Sequence, residues 1–258
     1  MISKNKIKLI RSLEQKKFRK ECQLFVAEGH KLVDDLLPAF DCAFLAARKE
    51  WLDTRREAVE TLARKGCEIQ EVSAEELQKA SLQKNPQDVL AVFRQRPAGE
   101  APEHLLKDQL CLGLDGVQDP GNLGTIIRTA EGAGVDGIIM TSGTVDIYNP
   151  KVIRSTMGAM YRMKYAYTDN LKEAAAFLRS RGITTYAAHL QGAVDYVTCD
   201  YKKGTAFFIG NEGNGLTDEA TALADRKIII PMMGKLESLN AAVSGAVLMY
   251  EAARQRRA

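Results

Sequence analysis

Three stretches in the second half of the chain combine polar side chains with glycine in a way that packing alone does not select. The first, Leu114-Asp115-Gly116-Val117-Gln118-Asp119-Pro120-Gly121-Asn122-Leu123-Gly124-Thr125-Ile126-Ile127-Arg128, runs from an apolar segment into a polar turn and then a helix. Asn122 and Arg128 lie under two helical turns apart, so both could address one pocket from the same general side. A turn cap plus a surface arginine would explain either residue alone. The second, Phe207-Phe208-Ile209-Gly210-Asn211-Glu212-Gly213-Asn214-Gly215-Leu216, sets one carboxylate, Glu212, among glycines that permit a close backbone approach or a left-handed turn. The third runs from Ile228-Ile229-Ile230-Pro231-Met232 to Glu237-Ser238-Leu239-Asn240-Ala241. Ser238 reads as the cap of the final helix, while Asn240 in a first helical turn is less expected. A guanidinium, a carboxylate, two amides and a hydroxyl offer hydrogen bonding and charge stabilisation around a ligand held close to backbone.

Other chemistries find no support. The five cysteines (Cys22, Cys42, Cys67, Cys111, Cys199) are scattered without a Cys-x-x-Cys, and the histidines (His30, His104, His189) are as dispersed. Neither a disulfide framework nor a metal site is expected. Gly132-Ala133-Gly134-Val135-Asp136-Gly137 matches Gly-x-Gly-x-x-Gly by letter. A dinucleotide fingerprint must follow a strand and open a helix. Here a helix precedes and a strand follows, so these glycines end a helix. The chain also lacks a P-loop, a Gly-x-Ser-x-Gly elbow and the acidic Gly-x-Gly loop of Rossmann-type methyltransferases.

The elements that must position these loops alternate. Strands are expected at Leu110 to Leu114, Gly137 to Met140, Ile183 to Ala188, Ala206 to Gly210 and Lys227 to Pro231. Helices are expected at Asn122 to Glu131, Pro150 to Met160, Leu171 to Arg181 and Leu239 to Arg254. Repeated β-then-α order implies a mostly parallel sheet covered on both faces, with ligands beyond the carboxyl ends of its strands. Before a Pro/Gly linker at Arg96 to Pro102, a smaller α/β module holds helices at Gly29 to Leu37 and Arg55 to Lys65. Its strands are expected at Cys42 to Ala47, Glu68 to Val72 and Val89 to Phe93. Two domains result, 1–97 and 108–258, in a chain of 258 residues.

Charge is uneven. The chain carries +3 overall, yet residues 1–20 hold +7 and the remainder −4. Lys4, Lys6, Lys8, Arg11, Lys16 and Lys17 form a cluster that attracts a phosphate backbone, or the solvated face of a helix packed through Ile7, Ile10 and Leu13. No apolar run approaches bilayer length and the N-terminus lacks a secretory core, so a cytosolic protein without membrane partners is expected.

The three loops, in this order and spacing, resemble the signature motifs of the SpoU (TrmH-like) RNA ribose 2′-O-methyltransferases. Asn149-Pro150-Lys151-Val152-Ile153-Arg154-Ser155-Thr156-Met157-Gly158 is similar to the segment between the first two motifs. The opening Phe25-Val26-Ala27-Glu28-Gly29 resembles, more softly, a substrate-binding domain like ribosomal protein L30e. The resemblance implies an α/β SPOUT fold with a deep trefoil knot and a homodimer with active sites near the subunit interface. It implies S-adenosyl-L-methionine as methyl donor without a metal, held by Ile209, Gly210, Ile230, Met232, Leu239 and Asn240. It makes Arg128, Asn122, Glu212, Ser238 and Asn240 the catalytic set and Arg154 an RNA contact beside the N-terminal basic residues. Ribosomal RNA is the expected substrate; the alternatives are transfer RNA and a non-catalytic RNA-binding ribosome-assembly protein.

Overall fold

A computed structural model describes residues 1–96, 109–190 and 193–257. Beyond Arg96, the expected linker and both domain boundaries lie outside the described residues, as does His104. In the first part of the chain come α1 (Lys4–Ser12), α2 (Lys16–Cys22), β1 (Leu24–Glu28), α3 (His30–Leu36), β2 (Cys42–Ala47), α4 (Lys49–Asp53), α5 (Arg56–Arg64), β3 (Glu68–Glu71), α6 (Ala74–Ala80) and β4 (Val89–Arg94). Then follow β5 (Leu110–Asp115), α7 (Pro120–Ala133), β6 (Gly137–Thr141), α8 (Pro150–Ser155), β7 (Lys164–Thr168), α9 (Leu171–Ser180), β8 (Thr184–Ala188), β9 (Val194–Asp195), β10 (Thr205–Gly210), α10 (Asp218–Leu223), β11 (Arg226–Ile229) and α11 (Ala241–Arg257). The described residues divide into two compact units, and the division is not a single cut: Asp146–Tyr161 belongs with the N-terminal unit.

The N-terminal unit is built on a four-stranded sheet in the order β1-β4-β2-β3, antiparallel except for β2 with β3. The amphipathic start packs as expected, with Ile10 and Leu13 fully buried, though as two helices and not one. Phe25 sits at the centre of an aromatic cluster, 5.1 Å from Phe40, 5.4 Å from Phe93 and 4.9 Å from Tyr148. Tyr148 lies in the inserted segment, which explains why that segment belongs here. A second tie is ionic: Arg19, only 1% exposed, donates to the Leu13 and Glu14 carbonyls and to Asp146, at 2.6 Å for the closest nitrogen. Arg19 is thus a buried structural cation and leaves the basic surface of this segment. The helix expected at Pro150 to Met160 stops at Ser155, because Met157 and Gly158 take positive φ values of 50° and 83°.

The C-terminal unit carries a seven-stranded sheet in the order β7-β6-β5-β10-β8-β11-β9, parallel throughout. Strands β5 and β10 are apolar runs buried on both faces, as central parallel strands must be. They also interlock: a side chain at Gly113 would sit 2.6 Å from Phe208, so glycine there makes room for the ring beside it. From β5 the chain steps outward to β6 and β7 in one direction, and β10, β8 and β11 lie on the other side. The reversal falls between β5 and β10, the place in an open α/β sheet beside which ligands are expected. Helix α7 begins there because Asp119 accepts from the Asn122 amide at 2.8 Å with Pro120 at the first helical position, and it ends at left-handed Gly134. The glycine triplet therefore closes a helix, as its position implied.

Candidate active site

All three polar loops leave carboxyl ends of strands in the C-terminal unit, after β5, β10 and β11, and hydrogen bonds join them. The Glu212 carboxylate accepts from the backbone amides of Gln118 and Asp119, each at 3.1 Å, and from Asn122 Nδ2 at 2.9 Å. Asn122 Oδ1 in turn accepts from Asn240 Nδ2 at 2.9 Å. Asn240 Oδ1 completes the series by accepting from the amides of Ala242 and Val243 at 2.9 and 3.3 Å. Asn240 is therefore the cap of α11, the role that the sequence offered to Ser238. An asparagine that caps with its oxygen keeps its NH₂ free to reach a second loop, which a serine hydroxyl could do less far. Burial pushes the Glu212 pKa up, but the donors from Asn122, Gln118 and Asp119 outweigh it and hold the carboxyl below its ordinary value.

The loop after β10 folds tightly on itself. Asn211 and Gly215 exchange both backbone hydrogen bonds at 2.9 Å, and Asn211 Oδ1 accepts from Gly213 and Asn214. Asn211 Nδ2 reaches back to the Gly116 carbonyl at 2.8 Å, and Asp115 accepts from the Thr217 amide and hydroxyl. A Cβ at Gly210 would fall 2.1 Å from Gly215 C and Leu216 N, so this position admits glycine alone. Asn211 and Asp115 were not singled out from sequence, though each ends a strand, which was the available signal.

The segments leaving β8, β10 and β11 line a cavity of about 480 Å³, within the range of small-molecule sites, and the first polar loop is bonded to the β10 loop without reaching the wall. Ile209, Gly210, Ile230, Met232, Leu239, Glu212 and Ser238 line it, one wall coming from a segment outside any strand or helix, whereas Asn240, expected beside them, and Asn122 do not reach the wall. Ala188, His189 and Leu190, at the end of β8, and Glu237 line it too. The rule that ligands sit beyond strand ends pointed to β8, and the polar residues and glycine of His189-Leu190-Gln191-Gly192 were a signal that the sequence reading passed over.

Arg128 stands apart. It is exposed, makes no hydrogen bond or ion pair among the described residues, and is absent from the cavity wall. Six residues turn a helix by about 600°, which leaves Arg128 roughly 120° around α7 from Asn122 and about 9 Å further along. The two therefore do not face one pocket of the same chain. Arg154 is exposed on α8 in the N-terminal unit. Lys4, Lys8, Arg11, Lys16 and Lys17 are exposed, whereas Lys6 is half-buried, 2.6 Å from Glu68 and over the Phe44 ring. Among the described residues no three potential ligands converge as a metal site, and no helix is long and apolar enough to cross a membrane.

A parallel α/β sheet with its cavity among the segments after β8, β10 and β11, and no Rossmann glycine loop, is the arrangement of the SPOUT class of methyltransferases. Residues 109–250 match the model of the SpoU rRNA Methylase family, and residues 4–91 match an MRM3-like substrate binding domain. The chain belongs to the SpoU rRNA methylase family. It is 31% identical over 95% of its length, and 94% of the relative's, to the 23S rRNA (guanosine(2553)-2′-O)-methyltransferase RlmP of Bacillus subtilis. It superposes with a TM-score of 0.89 and 35% identity on an AdoMet-bound rRNA methyltransferase from Sinorhizobium meliloti, covering 98% of this chain and 96% of that one. A tRNA (guanosine(18)-2′-O)-methyltransferase of Thermus thermophilus is 40% identical over 55% of this chain and 73% of its own.

Proposed function

We propose that the protein transfers a methyl group from S-adenosyl-L-methionine to the 2′-hydroxyl of a ribose in ribosomal RNA. The observation that carries this reading is the hydrogen-bonded series Glu212–Asn122–Asn240, which ties the three loops together with Glu212 on the cavity wall. The choice of ribosomal RNA is supported by coverage: the rRNA-directed relatives align over both units, the tRNA-directed one over 55% of the chain. The N-terminal region, 1–97 in the sequence division, would bind the RNA through the exposed lysines of α1 and α2. Residues 108–258 would carry the reaction, with β10 to α11 passing through the trefoil knot expected of this fold.

The cavity fits the cofactor. Ile209, Ile230, Met232 and Leu239 offer an apolar seat for an adenine ring, and the irregular backbone of 230–240 offers hydrogen bonds at its edge. Ser238 and Gly210 would complete the hold. When bound, S-adenosyl-L-methionine supplies an electrophilic methyl on a sulfonium, and the proposed reaction needs no metal. Asn122 and Asn240 orient the attacking ribose, while Glu212 holds both loops in place. Arg128 clamps phosphate and stabilises negative charge developing on the ribose oxygen through its planar guanidinium, and the hydroxyl proton leaves to water as the O–C bond forms and the S–C bond breaks.

Because Arg128 points about 120° around α7 from Asn122 and bonds to nothing among the described residues, the reading includes a homodimer in which each site receives Arg128 from the second copy. Helix α11 supports such an interface: Val243 and Tyr250, both 47% exposed and two turns apart, form an apolar stripe on its surface. Methyl-labelled donor, incubated with unmodified ribosomal and transfer RNA and followed by alkaline hydrolysis, tests the reaction. Label in alkali-resistant dinucleotides from ribosomal RNA is expected. Label in mononucleotides would mean base methylation and refute the assignment, and absence of both label and cofactor binding would favour a non-catalytic RNA-binding protein.

A further inference from the structure

The charged side chains on the cavity wall are of one sign. Glu212 and Glu237 line it, and among the described lining residues there is no lysine or arginine. The two carboxylates differ in employment. Glu212 is committed to three N–H donors from the first loop. Glu237 makes no hydrogen bond or ion pair among the described residues and stands exposed to the cavity mouth, one residue before Ser238. An unpaired carboxylate on a ligand cavity gains most from a ligand that brings a cation.

Resting on the function proposed above, we propose that Glu237 is the residue by which this site distinguishes the methyl donor from the spent product. The donor carries a positive sulfonium; after transfer the sulfur is a neutral thioether, and the ligand is otherwise unchanged. A carboxylate on the cavity wall with no cation of its own stabilises the donor's extra charge and contributes less to the product, so exchange of product for fresh donor is favoured at each turnover. Glu237 makes no hydrogen bond or ion pair among the described residues that its charge would hold in place, so its role is electrostatic recognition and not scaffold.

Calorimetric titration of the full-length protein with S-adenosylmethionine, S-adenosylhomocysteine and an analogue bearing a protonated amine in place of the methylsulfonium tests this. In Glu237→Gln the ratio of product Kd to donor Kd is expected to fall about three- to tenfold, the size suited to a solvent-screened charge, with product Kd nearly unchanged. The amine analogue is expected to weaken with the donor, and Glu237→Lys to lower the ratio further. In the unmodified protein, added salt should weaken donor binding more than product binding. An unchanged ratio, or an equal loss for donor and product, would overturn the proposal. If the unmodified protein bound neither ligand, the methyltransferase reading itself would fall and this inference with it.

Discussion

Replacing Glu212 with glutamine keeps the shape of the side chain and removes its charge. The carboxylate accepts three hydrogen bonds, two from backbone amides of the first loop and one from Asn122. The glutamine oxygen can keep those on one side, but its NH₂ would face the Gln118 amide, donor against donor. A hydrogen bond to a charged acceptor contributes about 1.5–3 kcal/mol when enclosed, and less where water reaches it as it does here, so a loss of about 1–2 kcal/mol is expected. For a chain of this size that corresponds to a Tm lowered by roughly 2–8 °C. The effect must depend on pH in a set direction. The donors hold the Glu212 pKa below 4.5, so its contribution is complete above that value and is lost as pH falls through the lowered folded pKa. Thermal unfolding of both proteins at neutral pH and near pH 3 is the assay. A difference that persists undiminished at the acid end, or none at neutral pH, would refute the view that the charged carboxylate ties the loops.

Gly210→Ala drives a methyl into the Gly215–Leu216 backbone, and a loss of about 3 kcal/mol or more together with cofactor affinity is expected by denaturant titration and calorimetry. Arg128→Ala and Asn240→Ala should each be inactive alone; mixed in equal amounts and allowed to exchange subunits, they should recover about a quarter of normal activity, because half the dimers then hold one intact composite site. No recovery with exchange demonstrated by mass spectrometry would place Arg128 and Asn240 in the same copy's site. Asp146→Ala strands the buried Arg19 charge and should cost about 3–5 kcal/mol by chemical denaturation, with far less for Asp146→Ala combined with Arg19→Met.

The central strands were legible because parallel strands buried on both faces read as continuous apolar runs, and Cys42–Ala47 is found where its pattern placed it. The edge strand β7 was not, since only Ala166 of its five residues is buried and its neighbours alternate in no clear register. The site divided in the same way. Motif residues were visible as polar groups where packing needs none, but their partners were not: the Asn240 side chain that caps α11 also donates to Asn122, 118 residues away, and no local pattern announces that pairing. Arg128 and Asn122 share a helix but not a face, a fact contained in their spacing once the angle as well as the rise is counted.

The insertion of Asp146–Tyr161 into the N-terminal unit sets an order on the chain's synthesis. When Arg94, the end of β4, has been added, the four-stranded sheet has all its strands, yet Arg19 still lacks its anion and Phe25 still lacks Tyr148. Those arrive only after β5, α7 and β6 of the second unit have been made, an interval of several seconds at roughly 5–20 residues per second. During it the nascent first unit holds an uncompensated interior cation and an open aromatic face, and so has reason to remain loose. Its consolidation therefore waits on residues that the ribosome reaches only after it has begun the second unit.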